Sequence, residues 1–182
     1  QLRQAPGAVL GEMVEEPGEL RLHMRTHPNA VRGALEAVTR TYERYVRAVL
    51  EAGADGIYLA TVDWASRDLI EAEVHQEWSR PYDLRLLKVA ADARFNVLHV
   101  CKRRNLLFEV ADYPVAAFSW AATDPLNPSL ADALARLPGA LMGGITHDTL
   151  ERASAGEVTA EVRRAFEQTG GRRWLAAPGC SI

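Results

Sequence analysis

Cysteine is scarce in this sequence, with two among 182 residues. So few thiols in a chain of this length do not make a disulfide framework, and a reducing, cytoplasmic compartment is the expectation. No apolar run approaches the roughly 18 residues that a bilayer-spanning helix needs, so no membrane association is expected. An excess of charge of one sign is also missing. The 21 Lys+Arg stand against 24 Asp+Glu, for a net charge of -3, which argues against nucleic acid as a partner. Three motifs are absent too. Neither Gly-x-x-x-x-Gly-Lys nor Gly-x-Gly-x-x-Gly occurs, so the Gly143-Gly144 pair does not signal a nucleotide. No Gly-x-Ser-x-Gly elbow is present, which leaves a Ser-His-Asp hydrolase without support. Low-complexity tracts are lacking, and the length suits one ordinary domain.

What is present is an alternation of two periods. Val31, Leu35, Val38, Tyr42, Val46 and Val49 recur at helical spacing, with Pro28 at the start and Gly53 at the stop. Short apolar runs predict strands at about 57–62, 96–101, 116–120, 140–145 and 173–178. Between them lie helical stretches, one of them divided by Pro81. The last is opened by a Ser154/Glu157 capping box and closed on Gly170-Gly171. Near-continuous apolar strands separated by helices mean a parallel α/β sheet with neighbours in chain order. A closed (β/α)8 barrel needs eight strands in about 250 residues. The pattern therefore reads as the C-terminal part of such a TIM barrel, incomplete with five of its eight strands clear, or as a small doubly wound sheet. Residues 1–27 carry a mixed pattern with no clear period and one weak strand at best. They are taken as an N-terminal remnant, and residues 28–182 as the barrel part. An arc of strands leaves open edges, so the expectation is a longer parent chain, or a second copy (a homodimer) covering the gap.

One short stretch carries chemistry. In "NVLHVCKRRN", His99 and Cys101 are two apart at the end of an apolar run. Residues i and i+2 of a strand share a face, and imidazole nitrogen and thiolate sulfur are ligands that zinc takes readily.

Taken in order, "EAGADGIYLA", "RPYDLRLL", "NVLHVC", "ALMGGI", "SAGEVTAEV" and "WLAAPGCSI" resemble the uroporphyrinogen decarboxylase superfamily from about Pro28 to Ile182. That superfamily holds the haem-pathway decarboxylase and corrinoid-dependent methyltransferases on (β/α)8 barrels. The resemblance implies zinc ligands at His99, Cys101 and Cys180, matching the zinc methyltransferases. The decarboxylases tend to carry Gly-His-Gly where this chain has Gly179-Cys180-Ser181. Lys102 departs from the glycine usual after the first methyltransferase cysteine. The resemblance thus implies an enzyme that moves a methyl group from a corrinoid, carried on a partner protein, to a zinc-bound thiolate of a small-molecule thiol.

A decarboxylase of a tetrapyrrole substrate, acting without cofactor in porphyrin biosynthesis, is the alternative, its catalytic residues falling upstream of Gln1. A non-catalytic ligand-binding member is the second. Two sulfurs and one nitrogen at strand ends leave a position open, as in catalytic zinc sites. Asp63, Glu109 and His147 are candidates for it. Cys101 and Cys180 read equally as small buried core residues.

Asp63 is the candidate catalytic carboxylate, against a plain helix-cap or turn role. Trp64, Trp120 and His147 are candidate substrate contacts, against packing under loops and capping. Lys102, Arg103 and Arg104 would hold an anionic group, against a solvated loop.

Overall fold

Three helices in succession begin with proline at the first turn, where the missing N–H is no loss and the fixed φ is already helical. They are α1 (Pro6–Glu12), α2 (Pro17–Thr26) and α3 (Pro28–Glu51). The structure, a computed structural model, describes residues 4–180; Ser181 of the Gly-Cys-Ser element lies outside them. After α3 the chain alternates through β1 (Tyr58–Ala60), a 3-10 turn (Val62–Ala65), α4 (Ala72–Trp78), α5 (Arg80–Val89) and β2 (Val97–Val100). There follow β3 (Ala117–Trp120), α6 (Leu130–Arg136), β4 (Ala140–Ile145), α7 (His147–Leu150), α8 (Ala155–Thr169) and β5 (Trp174–Pro178).

The five strands are parallel and lie in the order β1-β2-β3-β4-β5, which is the arrangement of an incomplete (β/α)8 barrel. Parallel neighbours need a crossover, and helices supply it everywhere but between β2 and β3, where turns over residues 101–116 connect the strands. α6 and α8 pack on β4, and α3 packs on α5. Pro81 sits in the first turn of α5, so the proline that divides the helical stretch also starts its second half. The Ser154/Glu157 box caps α8, and Gly170 closes it in the left-handed conformation at φ 61°. The main core gathers Leu59, Leu98, Phe118, Trp120 and Leu141 from the strands with Leu86, Leu130 and Ala165 from the helices. A second cluster joins the N-terminal helices to Trp64, Ile70 and Trp78.

The N-terminal stretch differs from its sequence reading. Residues 6–12 and 17–26 are helices rather than one weak strand. Their prolines favour helix starts, and Ala8, Leu10, Leu20 and Met24 bury against Val31 and Leu35 of α3. Tertiary packing of a short amphipathic face outweighs weak local propensity here.

α4 and α5 also bury a polar pair. His75 and Asp83 are both fully inaccessible, with Nε2 and Oδ2 3.9 Å apart, and Tyr113 donates its O–H to Asp83 at 3.1 Å. Burial, and to a lesser degree the nearby Arg80, pushes His75 down from 6.5 to about 4. Burial also pushes Asp83 up from 3.8 to about 7, against the Tyr113 hydrogen bond and the Arg80 charge. Between these values both groups are neutral, so the contact is not an ion pair.

The two shifts act on stability with opposite signs. Below 6.5 the unfolded histidine takes a proton that the folded one refuses, so His75 costs stability as pH falls toward about 4. Above 3.8 the unfolded aspartate loses a proton that the folded one keeps, so Asp83 costs stability as pH rises toward about 7. In the overlapping window the slopes cancel. Asp83→Asn should unmask the histidine, with unfolding free energy rising by up to about 1.4 kcal/mol per pH unit between pH ~4 and ~6.5. Urea melts across that range check this. Parallel curves for wild type and variant would refute it.

Candidate metal centre

Strand register builds the site. In the parallel ladder Ala60 pairs with His99, and His99 pairs with Ser119. Paired residues of adjacent strands point to one face, so Tyr58, His99, Cys101 and Ser119 share a side of the sheet. His99 is buried, and its Nδ1 lies 3.0 Å from Ser119 Oγ. The ring stacks on Tyr58 with centroids 5.5 Å apart, and the Tyr58 hydroxyl is 3.4 Å from the same Ser119 oxygen. His99 Nε2 is buried with no hydrogen-bond partner among the described residues. A buried ring nitrogen left bare is costly unless something else takes its lone pair.

The cysteines lie beside it. Ligand-type atoms of His99, Cys101 and Cys180 all fall within 4.8 Å of one another. Cys101 follows directly on β2, and Cys180 is carried across by the chain after β5. Gly179 makes that approach possible, because a Cβ there would stand 2.6 Å from the Ala121 Cα. Cys101 is buried, and its thiol is pushed above its ordinary value by the hydrogen bond with Cys180 and then by burial. The Val62 backbone N–H and the Lys102 charge act in the opposite direction. Val62 and Lys102 both hold positive φ, at 50° and 66°. For a β-branched residue this is a genuine outlier, of the kind that surrounding structure must impose.

The other sequence candidates are placed as follows. Asp63 is half-exposed, and its Oδ1 meets Lys102 Nζ at 3.1 Å. Glu109 is paired with Arg67, and His147 begins α7 beyond β4. Among the described residues, none of these three carboxylate or imidazole groups joins the His99–Cys101–Cys180 cluster. Trp64 packs in the N-terminal core. Trp120 lies in the main core and donates its indole N–H to Pro128 O at 2.8 Å. It is one residue past Ser119 on β3, so strand alternation turns it to the face opposite His99. Arg103 and Arg104 meet Asp124 and Asp68. Ser119 and Tyr58 went unnoticed in the sequence, because only the register between strands shows that they meet His99.

A parallel barrel-type sheet with an imidazole and two thiols at its C-terminal strand ends defines the class: an α/β barrel protein with the donor set of a transition-metal site. The chain belongs to the uroporphyrinogen decarboxylase (URO-D) family, whose pattern matches residues 4–182. No curated protein matches it. Among solved structures, a methyltransferase from Methanosarcina mazei is similar with a TM-score of 0.80 and 24% identity, covering 98% of this chain and 51% of that one. A Listeria monocytogenes protein assigned as a vitamin-B12-independent methionine synthase is similar with a TM-score of 0.62 and 14% identity, covering 98% of this chain and 56% of that one. The chain thus spans about half the length of the structures it matches. No helix among the described residues is long and apolar enough to cross a membrane.

Proposed function

We propose that this URO-D family chain is a methyltransferase of the zinc-dependent type, with His99, Cys101 and Cys180 as the metal ligands and a small thiol as methyl acceptor. One observation carries the reading. A buried imidazole and two cysteine side chains bring ligand-type atoms within 4.8 Å of one another, and the His99 Nε2 has no hydrogen-bond partner among the described residues. The donor set fits zinc, which takes sulfur and nitrogen and, with three protein ligands, leaves a position for substrate. A zinc ion bound there would hold a thiol as thiolate, the form that accepts a methyl group.

The chain's own residues prepare that site. Ser119 holds the His99 ring through Nδ1, which leaves Nε2, without a hydrogen-bond partner among the described residues, as the nitrogen for a metal. Tyr58 stacks on the face of the ring and holds its plane. The donor is read as a methyl-corrinoid on a partner protein that docks at the strand-end face.

Methylcobalamin, a mercaptan and zinc supplied to the protein should give thiol-dependent loss of the methyl-cobalamin spectrum, absent in His99→Ala. Failure of that transfer, with decarboxylation of a tetrapyrrole carboxylate instead, would overturn the reading. Outer partners of metal-bound histidines typically contribute 10–100-fold in metal affinity, so Ser119→Ala should weaken zinc binding by roughly that factor. Competition with a chromophoric chelator measures it. An unchanged affinity would show that Ser119 does not orient the ring.

A further inference from the structure

Two successive backbone donors just past β1 point the same way, which an extended strand does not allow. The Thr61 N–H donates to the His99 carbonyl at 3.0 Å, one step beyond the Ala60–His99 pair. In an extended chain the next N–H would turn to the opposite edge, away from β2. Here Thr61 leaves the strand in the right-handed helical region, at φ -79° and ψ -14°. Val62 follows with φ 50°. Its N–H turns back to β2 and donates to the Cys101 sulfur. A right-handed residue followed by a left-handed one gathers successive N–H groups into a nest, a backbone concavity that suits an anion.

The turn is held from both sides. Thr61 is buried, and its hydroxyl donates to the same His99 carbonyl at 3.3 Å. Its own carbonyl accepts from the Trp64 N–H at 3.1 Å. Val62 packs on the second core cluster, which contains Trp64 and Ile70. Glycine would reach this φ without strain, yet a β-branched residue is kept there by its packing. Strain of this kind gathers at functional sites, and the atom it serves is a ligand sulfur.

We propose that the Val62 N–H is a positioning group for the metal centre: it holds Cys101 as a ligand and lowers the nucleophilicity of its sulfur, so that a methyl group goes to the acceptor thiol and not to the ligand. Thiolate is the nucleophile whether it belongs to substrate or protein, and a charge-assisted hydrogen bond draws off part of its charge. This rests on the metal-centre reading above and adds to it the discrimination between two kinds of sulfur at one site.

Two measurements test it. In the protein loaded with NMR-active cadmium, a scalar coupling should cross the hydrogen bond from the metal through Cys101 to the Val62 amide proton. The zinc-loaded protein is also treated with methyl iodide, and the methyl on Cys101 is read by peptide mass spectrometry. There a carbon–sulfur bond forms at Cys101 as the carbon–iodine bond breaks, and iodide leaves with the electron pair. Placing the hydroxy-acid analogue of valine at Val62 turns the Thr61–Val62 amide into an ester, which removes the N–H and keeps the side chain. Methylation of Cys101 should then run about tenfold faster, the lower range of what a hydrogen bond to a charged group contributes. Bound cadmium without coupling to the Val62 amide, or an unchanged rate in the ester, would overturn the assignment and leave the metal centre standing. Protein that binds neither metal would overturn both.

Discussion

Replacing Cys101 with alanine is expected to weaken zinc binding by about a thousandfold while leaving the fold intact. Whole structural zinc sites contribute roughly 10–16 kcal/mol at neutral pH, so one ligand of such a set carries about 4 kcal/mol, near three decades in affinity. Cys101 is the better test position because it is buried directly after β2 and shares its hydrogen bond with Cys180. The same two features keep its proton on, and a metal must displace that proton to bind. Zinc affinity of the wild type should therefore rise steeply with pH, and the dependence should flatten in the variant. Competitive titration of zinc at several pH values reads both effects. A Cys101→Ala protein that binds zinc as tightly as wild type would show that the sulfur is only a packed core atom.

The second large effect concerns Trp120. Its indole fills the main core, fully buried, with its N–H on Pro128 O. Truncating a buried tryptophan to alanine typically costs about 3–5 kcal/mol, and a lost indole bond leaves the Pro128 carbonyl without that donor. In a domain of this size each kcal/mol shifts the melting temperature by roughly 2–4 °C, so Trp120→Ala should melt about 10 °C lower. Zinc affinity should hardly change, because Trp120 points away from His99 and Ser119. Trp120→Phe retains most of the volume and should lose much less. A Trp120→Ala protein of normal stability that no longer binds thiols would instead favour a substrate-wall role for this residue.

Much of the architecture was legible because its signals are local. Pro28 and Gly53 bound α3, Pro81 marks the start of α5, and the Ser154/Glu157 pair caps α8. Strand parity alone put His99 and Cys101 on one face. The N-terminal helices were missed although Pro6 and Pro17 stand where helices begin, since residues 1–27 show too short an apolar period to outvote their glycines. Ser119 and Tyr58 were not legible at all. Their meeting with His99 depends on the pairing of β1 with β2 and of β2 with β3, which packing of the whole sheet sets. The left-handed backbone at Val62 and Lys102 was equally hidden, because neither residue type prefers it. His75 and Asp83 lie in the helical stretch on either side of Pro81, and only tertiary burial makes them a neutral pair.

Zinc content and coordination of the purified protein test the central claim most directly. The account predicts stoichiometric zinc whose X-ray absorption shows two sulfurs near 2.3 Å and imidazole nitrogen near 2.0–2.1 Å, with both sulfurs lost stepwise in Cys101→Ala and Cys180→Ala. Protein that neither carries nor takes up zinc, or zinc that stays bound unchanged in those variants, would contradict it.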